Sequence, residues 1–211
     1  SLETATHESG GDICEGLPVW LSEYSDAVKN AKSAWVQGSS PDKSVHVEVS
    51  VSAMAEEVIK WIEAHRDPLI HIFHGHVVPP QPAVWGTTVG DCIAYVRETI
   101  FRQKFGIPNV KDLHVKNDAL NLLCAENQLL SENALFGFRL ACMAGPLADE
   151  PVRGVIFTLR WGGDERHSAS SSSAEAYAVS WACRAAMLAS LSVRISERIL
   201  LLEIQTEEIK P

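Results

Sequence analysis

The sequence lacks three features that would assign a function class directly. It has no Cys-x-x-Cys pair, and its five cysteines are widely spaced and mostly inside apolar runs. This pattern argues against a cysteine zinc site and predicts reduced, buried thiols in an intracellular protein. It has no run of Lys and Arg, and its net charge is −9, whereas duplex-binding proteins usually carry a basic stripe. No apolar stretch approaches the ~20 residues that span a bilayer, so we expect no membrane partner.

What the sequence does have is a series of strand and helix patterns. Apolar residues at helical spacing predict helices over 17–35, 52–65, 87–106, 118–130 and 173–191. Alternation or short apolar runs predict strands over 45–51, 68–78, 134–145, 152–161 and 198–209. The strands over 134–145 and 152–161 are expected to form an antiparallel hairpin. The resulting prediction is an α/β (α+β) fold with a central mixed sheet flanked by helices.

The chain is predicted to have three parts. Residues 1–15 are polar and glycine-containing, so we expect them to be disordered or loosely held. Residues 16–82 form an N-terminal α/β extension that packs on the rest and ends in the proline-rich stretch 79–82. Residues 83–211 form the core.

Several short motifs from Trp85 onward resemble those of the PD-(D/E)XK nucleases, in particular the RecB-like branch. That branch carries G-T-x-V-H in its first helix, G-x-x-D on one strand, D-x-K-T-G on the next strand and Q-x-x-x-Y in the following helix. The residues that match this frame are Gly86, Thr87, Val89, Gly137, Gly162 and Tyr177. The resemblance covers the C-terminal part of the chain and implies a nuclease-like core there.

The positions that carry the chemistry of the family are all different. Gly90 occupies the histidine position, Leu140 and Thr158 occupy the two acid positions, and Arg160 occupies the lysine position. Mg²⁺ requires carboxylate oxygens, and without the metal there is no route to hydroxide at neutral pH. The resemblance therefore implies a catalytically inactive pseudonuclease with no metal and no cofactor, which serves as a protein-interaction or scaffold module.

With its catalytic positions replaced, this part of the chain resembles a pseudonuclease domain in the unconventional kinetochore of kinetoplastids. That likeness implies kinetochore or chromatin-associated protein partners, a nuclear location and a role in chromosome segregation. Two alternatives stay open. One is an active metal-dependent nuclease with migrated ligands, for which Asp91, Glu98 and Glu203 are candidate acids. The other is a DNA-binding module that does not cut and uses Arg160 and the loop at 162–169.

Arg160 and Trp161 have two interpretations. They could stack on or clamp a nucleic-acid backbone. In the alternative, which we favour, Arg160 is a buried arginine that pairs with an acid such as Glu203, and Trp161 lies in the core.

Other residues also have a functional and a structural interpretation. His71, His74 and His76 could supply part of a zinc site, but two imidazoles on one face of a strand are incomplete, and half-exposed histidines at a strand end are the simpler interpretation. The serines at 170–173 could be phosphorylated, or Ser173 could simply cap a helix.

The aromatic and cysteine side chains complete the set of candidates. Trp20, Tyr24 and Trp35 could form a partner-binding stripe, although side chains at this spacing more often belong to a core. Cys92 and Cys183 lie in apolar helices, where a raised thiol pKa would make them inert as nucleophiles.

Overall fold

The structure, a computed structural model, describes residues 34–79, 85–116, 118–126, 129–146, 149, 151–162 and 172–190. A five-stranded mixed sheet lies at its centre and has helices on both faces, which confirms the predicted fold class. The nuclease-like core is not confirmed. The predictions for residues 1–15, for 198–209 and for most of 17–35 lie outside the described residues.

The strands are β1 (Val36–Ser39), β2 (His46–Ala53), β3 (Val110–Lys116), β4 (Ala119–Ala125) and β5 (Arg153–Trp161). Their order across the sheet is β1-β2-β5-β4-β3. The β4–β5 pair is parallel, and the other three pairs are antiparallel. Strands of the predicted extension and of the predicted core thus share one sheet, while the boundary between these parts stays a prediction.

The helices cover the two faces of the sheet separately. They are α1 (Glu56–Ala64), α2 (Arg66–Ile70, followed by a π-type turn over His71–Gly75), α3 (Val89–Tyr95, continued by π-type turns over Val96–Lys104), α4 (Glu132–Met143) and α5 (Ser172–Ala189). We call the face that α4 and α5 cover the front face and the face that α1, α2 and α3 cover the back face. Each face has its own apolar core.

Three predicted elements are wrong. The predicted helix at 118–130 is β4, whose seven residues are all buried and therefore show no alternation. The predicted strand at 134–145 is α4, which begins where the Ser131 hydroxyl accepts a hydrogen bond from the Ala134 N–H. The predicted strand at 68–78 is α2 and its π-type turn. The predicted hairpin is also wrong, because β5 pairs with β2 and β4.

Small residues bring the front helices close to their neighbours. A Cβ atom added to Gly38 would lie 2.6 Å from the Cβ of Ala182, so β1 lies close to α5. A Cβ atom added to Gly137 would lie 2.4 Å from the carbonyl oxygen of Ala176, so α4 and α5 touch through their backbones. The glycines therefore set the spacing of the front layer.

A buried amide repairs a break in the ladder between β4 and β5. The register shifts between Leu120 and Asn121. The Asn121 side chain donates to the carbonyl of Val152 at 2.7 Å and accepts from the N–H of Val155 at 3.2 Å. The Val152 carbonyl also accepts from the N–H of Leu120 at 3.2 Å, so the amide adds a second bond there and supplies the acceptor for the N–H of Val155.

Candidate functional site

The structure does not bring the four degenerate nuclease positions together. Phe157 and Leu159 of β5 belong to the front core, so Thr158 and Arg160 point to the back face. Leu140 lies on α4, which covers the front face, so the sheet separates it from Thr158 and Arg160. Gly90 is exposed in the first turn of α3 on the back side. Leu140 was expected on a strand, and its place on a helix corrects that expectation.

Arg160 has an acidic and an aromatic partner within the protein. Its Nε donates to Oε2 of Glu48 at 2.5 Å, and its guanidinium lies 4.0 Å from the centroid of the Trp35 ring. Arg160 pairs with an acid as expected, but the acid is Glu48, and the expected burial is wrong because the Arg160 side chain is 43% exposed. Glu203 lies outside the described residues. Trp161 packs against the front core. Because Arg160 and Trp161 point to opposite faces, they cannot clamp one ligand together.

The candidate acids of a migrated nuclease site have local partners. The carboxylate of Asp91 accepts a hydrogen bond from the Thr88 hydroxyl at 2.7 Å at the start of α3. Glu98 forms an exposed ion pair with Arg102 at 2.9 Å. Within the described part of the chain, no group of three or more His, Cys, Asp and Glu side chains is placed to hold a metal ion.

The histidines at 71, 74 and 76 do not share one strand face, because this stretch is helical and ends at His76. The His71 ring bonds to the carbonyl of Asp67 at 2.7 Å. His74 instead reaches β3, where its Nε2 accepts a hydrogen bond from the Val115 N–H at 3.4 Å. The predicted half-exposed strand end is thus wrong in its secondary structure, and His74 has a tertiary contact that the sequence did not indicate.

A cluster of polar side chains, some of them buried, surrounds this contact. His74 meets the ring of His114 edge to face, with centroids 5.7 Å apart, and His114 is only 3% exposed. Two residues before His114, Asp112 accepts two hydrogen bonds from Arg139 of α4, at 2.8 and 3.2 Å. We call His74, Asp112, His114 and Arg139 the edge cluster, because they lie along the edge strand β3.

Burial controls the protonation of the two imidazoles. It lowers the pKa of His114 to about 4, with a smaller contribution from His74. It also lowers the pKa of His74, which the charge of Asp112 opposes. Neither ring nitrogen of His114 has a hydrogen-bond partner among the described residues. Both imidazoles are therefore neutral at neutral pH.

Side chains cover the open edge of the sheet beside this cluster. Arg97 donates to the carbonyl of Lys111, and His74 accepts from the N–H of Val115. Both backbone groups belong to β3 and point away from β4. An uncovered edge strand is a template for pairing with another chain, and these two contacts block part of it.

A second feature is an apolar surface on the outer side of the front helices. Tyr177, Trp181 and Leu188 follow one side of α5, and Phe136 and Met143 follow one side of α4. These five side chains are between 39% and 54% exposed. We call them the α4–α5 face. α5 is therefore apolar on its exposed side as well as on its buried side.

The prediction of buried thiols is confirmed for the four cysteines that the structure describes. Cys92, Cys124, Cys142 and Cys183 are free and buried. Burial raises the pKa of the thiols of Cys92 and Cys183. Cys14, Trp20, Tyr24 and the serines at 170 and 171 lie outside the described residues, and Ser173 lies in the first turn of α5.

Comparison of the chain with models of known protein families gives no match. The resemblance to the PD-(D/E)XK nucleases therefore stays a prediction from short motifs. None of the helices in the described ranges combines the length and apolar character needed to cross a membrane.

Sequence reasoning missed both features of the site. Asp112 and His114 alternate with buried apolar residues in the stretch 110–116, which is the signal of polar side chains on one face of a strand. The α4 half of the α4–α5 face was not predicted because residues 134–145 were assigned as a strand. The i, i+4 spacing of Tyr177 and Trp181 was the available signal for the α5 half.

Proposed function

We propose that this chain is a non-catalytic protein-interaction module that binds other proteins through the α4–α5 face. The observation that carries the proposal is the exposure of Phe136, Tyr177 and Trp181 on two adjacent helices. Contiguous exposed apolar surface on a folded protein marks an interaction site. Trp and Tyr are also the residues that most often dominate binding energy at interfaces.

The α4–α5 face is held rigidly, which favours binding. Gly137 lets α4 pack directly on the backbone of α5 at Ala176. At one end of the pair, the hydroxyl of Ser131 donates to the carboxylate of Glu175. At the other end, the guanidinium of Arg184 donates twice to the carbonyl of Ala144, at 2.9 and 2.6 Å. A preorganised surface loses less conformational entropy when a partner binds.

A descent from a PD-(D/E)XK nuclease is a further part of this proposal. It is supported by the glycine, threonine and valine motif at Gly86, Thr87 and Val89, while the replacement of every catalytic position supports the non-catalytic part of the proposal. The placement of Gly137 and Leu140 on a helix removes one strand motif from that support. Kinetochore or chromatin-associated partners and a nuclear location follow from this resemblance and have the same standing.

The interaction proposal can be tested with one substitution on each helix. We expect Phe136→Asp and Trp181→Asp to reduce the recovery of specific partners by about tenfold or more, because each puts a charge where an aromatic ring would be buried. The measurement is affinity capture with the full chain from cell extract, quantified by mass spectrometry against the unchanged chain. Circular dichroism of each variant checks that the fold is retained.

Leu129→Asp is the matched control, because Leu129 is 97% exposed and lies outside the α4–α5 face. It introduces the same charge and should leave partner recovery unchanged. Partner recovery equal to that of the unchanged chain in all three variants would contradict the proposal. Equal losses with all three would show that added charge, and not the α4–α5 face, decides the result.

The non-catalytic part needs a separate assay. We expect no cutting of single- or double-stranded DNA in the presence of Mg²⁺ or Mn²⁺. Metal-dependent cutting that disappears in Asp91→Asn or Glu98→Gln would contradict this part and favour an active nuclease with migrated ligands.

A further inference from the structure

His74 connects two parts of the fold through a contact that depends on its protonation state. The π-type turn over His71–Gly75 lies against β3, and the Nε2 of His74 accepts the N–H of Val115 at 3.4 Å. A ring nitrogen accepts a hydrogen bond only when it carries no proton. The contact therefore exists only in the neutral form of His74.

We propose that His74 is a pH-sensitive latch, whose side chain covers the N–H of Val115 on the edge of β3 at neutral pH and leaves it in acid. Ile72 and Phe73 of the same turn stay buried in the back core in both states. This inference is independent of the proposed function, because it concerns the sheet edge and not the α4–α5 face. Protonation of His74 removes the acceptor at Nε2 and introduces a positive charge into a half-buried place.

The surroundings favour release once that charge forms. The titratable and charged side chains around the latch come from β3, from α4, from the continuation of α3 and from the end of the turn itself. They are Asp112, His114, Lys116, Arg139, Arg97 and His76. Asp112 is the only acid in this set, and both of its oxygens already accept hydrogen bonds from Arg139. The charge of Asp112 and a hydrogen bond to the backbone of Leu113 both favour protonated His74, but burial and the positive charge of Arg139 outweigh them, and the pKa of His74 is lowered.

The direction of the pH effect follows from linkage. Burial lowers the pKa of His74 in the latched state, so the released state, with an ordinary histidine pKa near 6.5, binds more protons at mildly acidic pH. The latched state is then fully favoured above a pH of about 6.5 and is progressively lost below it. Release would uncover the edge of β3 beside Val115 and open it to pairing with an extended strand.

Amide hydrogen exchange measured by NMR on the full chain tests the latch. The Val115 amide reports the edge contact, and the Val49 amide in the central strand β2 reports opening of the whole sheet. After correction for the intrinsic exchange rate, we expect the equilibrium constant for opening at the Val115 amide to increase by up to about tenfold per pH unit below a pH of about 6.5. Val115 should remain less protected than Val49 throughout. Equal protection of both amides at every pH would overturn the proposal.

Three variants distinguish the contributions of the individual histidines to the pH response of the Val115 amide. His74→Gln keeps a side-chain oxygen near Val115 but cannot titrate, so the pH response of Val115 should disappear. His114→Phe keeps a ring against Phe138, and the response of Val115 should remain. His71→Gln is the matched control from the same turn and should behave as the unchanged chain. A response that survives in His74→Gln, or that disappears only in His114→Phe, would overturn the proposal.

A direct titration covers the case in which His74→Gln does not fold. In the unchanged chain, the imidazole signals of His74 should titrate below a pH of 6.5 and in step with the loss of Val115 protection. Titration of His74 at or above 6.5, or at a pH where Val115 is unaffected, would contradict the latch.

Discussion

Asp112 and Arg139 form an ion pair in which the two partners differ in exposure. Asp112 has a side chain only 3% exposed, whereas the side chain of Arg139 is 25% exposed. Burial lowers the pKa of Arg139, but the hydrogen bonds to Asp112 and the charges of Asp112 and Glu132 together outweigh this effect, and the pKa is raised. The pair joins the edge strand β3 to the helix α4. Removal of one partner would leave the other with an uncompensated charge.

We predict that Arg139→Ala lowers the free energy of unfolding by about 3 kcal/mol, because it strands the buried carboxylate of Asp112. Asp112→Ala should also destabilise the protein. The double variant should lose less than the sum of the two single losses, since no unpaired charge then remains. Urea unfolding at neutral pH measures all three.

Arg102→Ala is the control for this prediction. Its ion pair with Glu98 lies at the surface, with side chains more than half exposed, and should contribute less than about 1 kcal/mol. A loss in Arg139→Ala that is no larger than the loss in Arg102→Ala would contradict the prediction.

Single residues of the candidate site were predictable only in part. The pairing of Arg160 with an acid and the packing of the partly buried Trp161 against the front core followed from the general cost of leaving an arginine or a tryptophan unpartnered. The identity of the acid did not follow, because Glu48 lies on a distant strand whose pairing with β5 the sequence does not specify. The contact of His74 with Val115 depends on the same kind of long-range placement.

Two glycines within helices have opposite surroundings, and both occur in the nuclease-like motifs. A Cβ atom at Gly137 would lie 2.4 Å from a backbone oxygen of α5, whereas the nearest atom at Gly90 would be the Thr88 hydroxyl at 3.8 Å. Helix propensity alone favours alanine over glycine by about 1 kcal/mol at an interior position. Packing should reverse that preference only at Gly137.

We predict that Gly137→Ala destabilises the protein by about 1–3 kcal/mol, because the backbones of α4 and α5 must move apart. Gly90→Ala should be neutral or stabilising by up to about 1 kcal/mol. Thermal unfolding of the two variants in parallel provides the comparison. A stabilising effect of Gly137→Ala would show that α4 and α5 are not in backbone contact.

Whole elements were predicted well where polar and apolar residues alternate and poorly where this contrast is missing. β2 shows clear alternation, and its prediction at 45–51 is confirmed by the observed His46–Ala53. β4 is buried on both faces and was taken for a helix. α4 has Phe136 and Met143 on its exposed side, so it lacks polar contrast and was taken for a strand. Periodicity cannot separate short apolar runs of these kinds.

For the whole molecule, the buried His114 makes stability depend on pH. Its pKa is about 4 in the folded state, below the ordinary value of 6.5, so between these values the unfolded chain binds more protons. This contribution to stability is complete above a pH of 6.5, falls as the pH drops towards about 4, and changes no further below that. One pKa unit corresponds to about 1.4 kcal/mol, so the fall of the pKa from 6.5 to about 4 corresponds to a loss of at most about 3 to 4 kcal/mol.

We therefore predict that urea midpoints decrease across this pH range and that His114→Phe flattens the decrease. His71→Gln, which removes an exposed histidine, should leave the profile unchanged. Parallel profiles for His114→Phe and the unchanged chain would contradict the assignment of this pH dependence to His114.

The position of β5 determines when the sheet can form. β5 bonds to both β2 and β4, yet it is the last strand in chain order among the described residues. Val47 pairs with Trp161, which lies on the order of 100 residues further along the chain. During synthesis the β1–β2 and β3–β4 hairpins therefore keep unpaired strand edges until β5 emerges from the ribosome. A chain cut before Arg153 would keep both hairpins unjoined and would be prone to aggregate rather than to fold as a smaller domain.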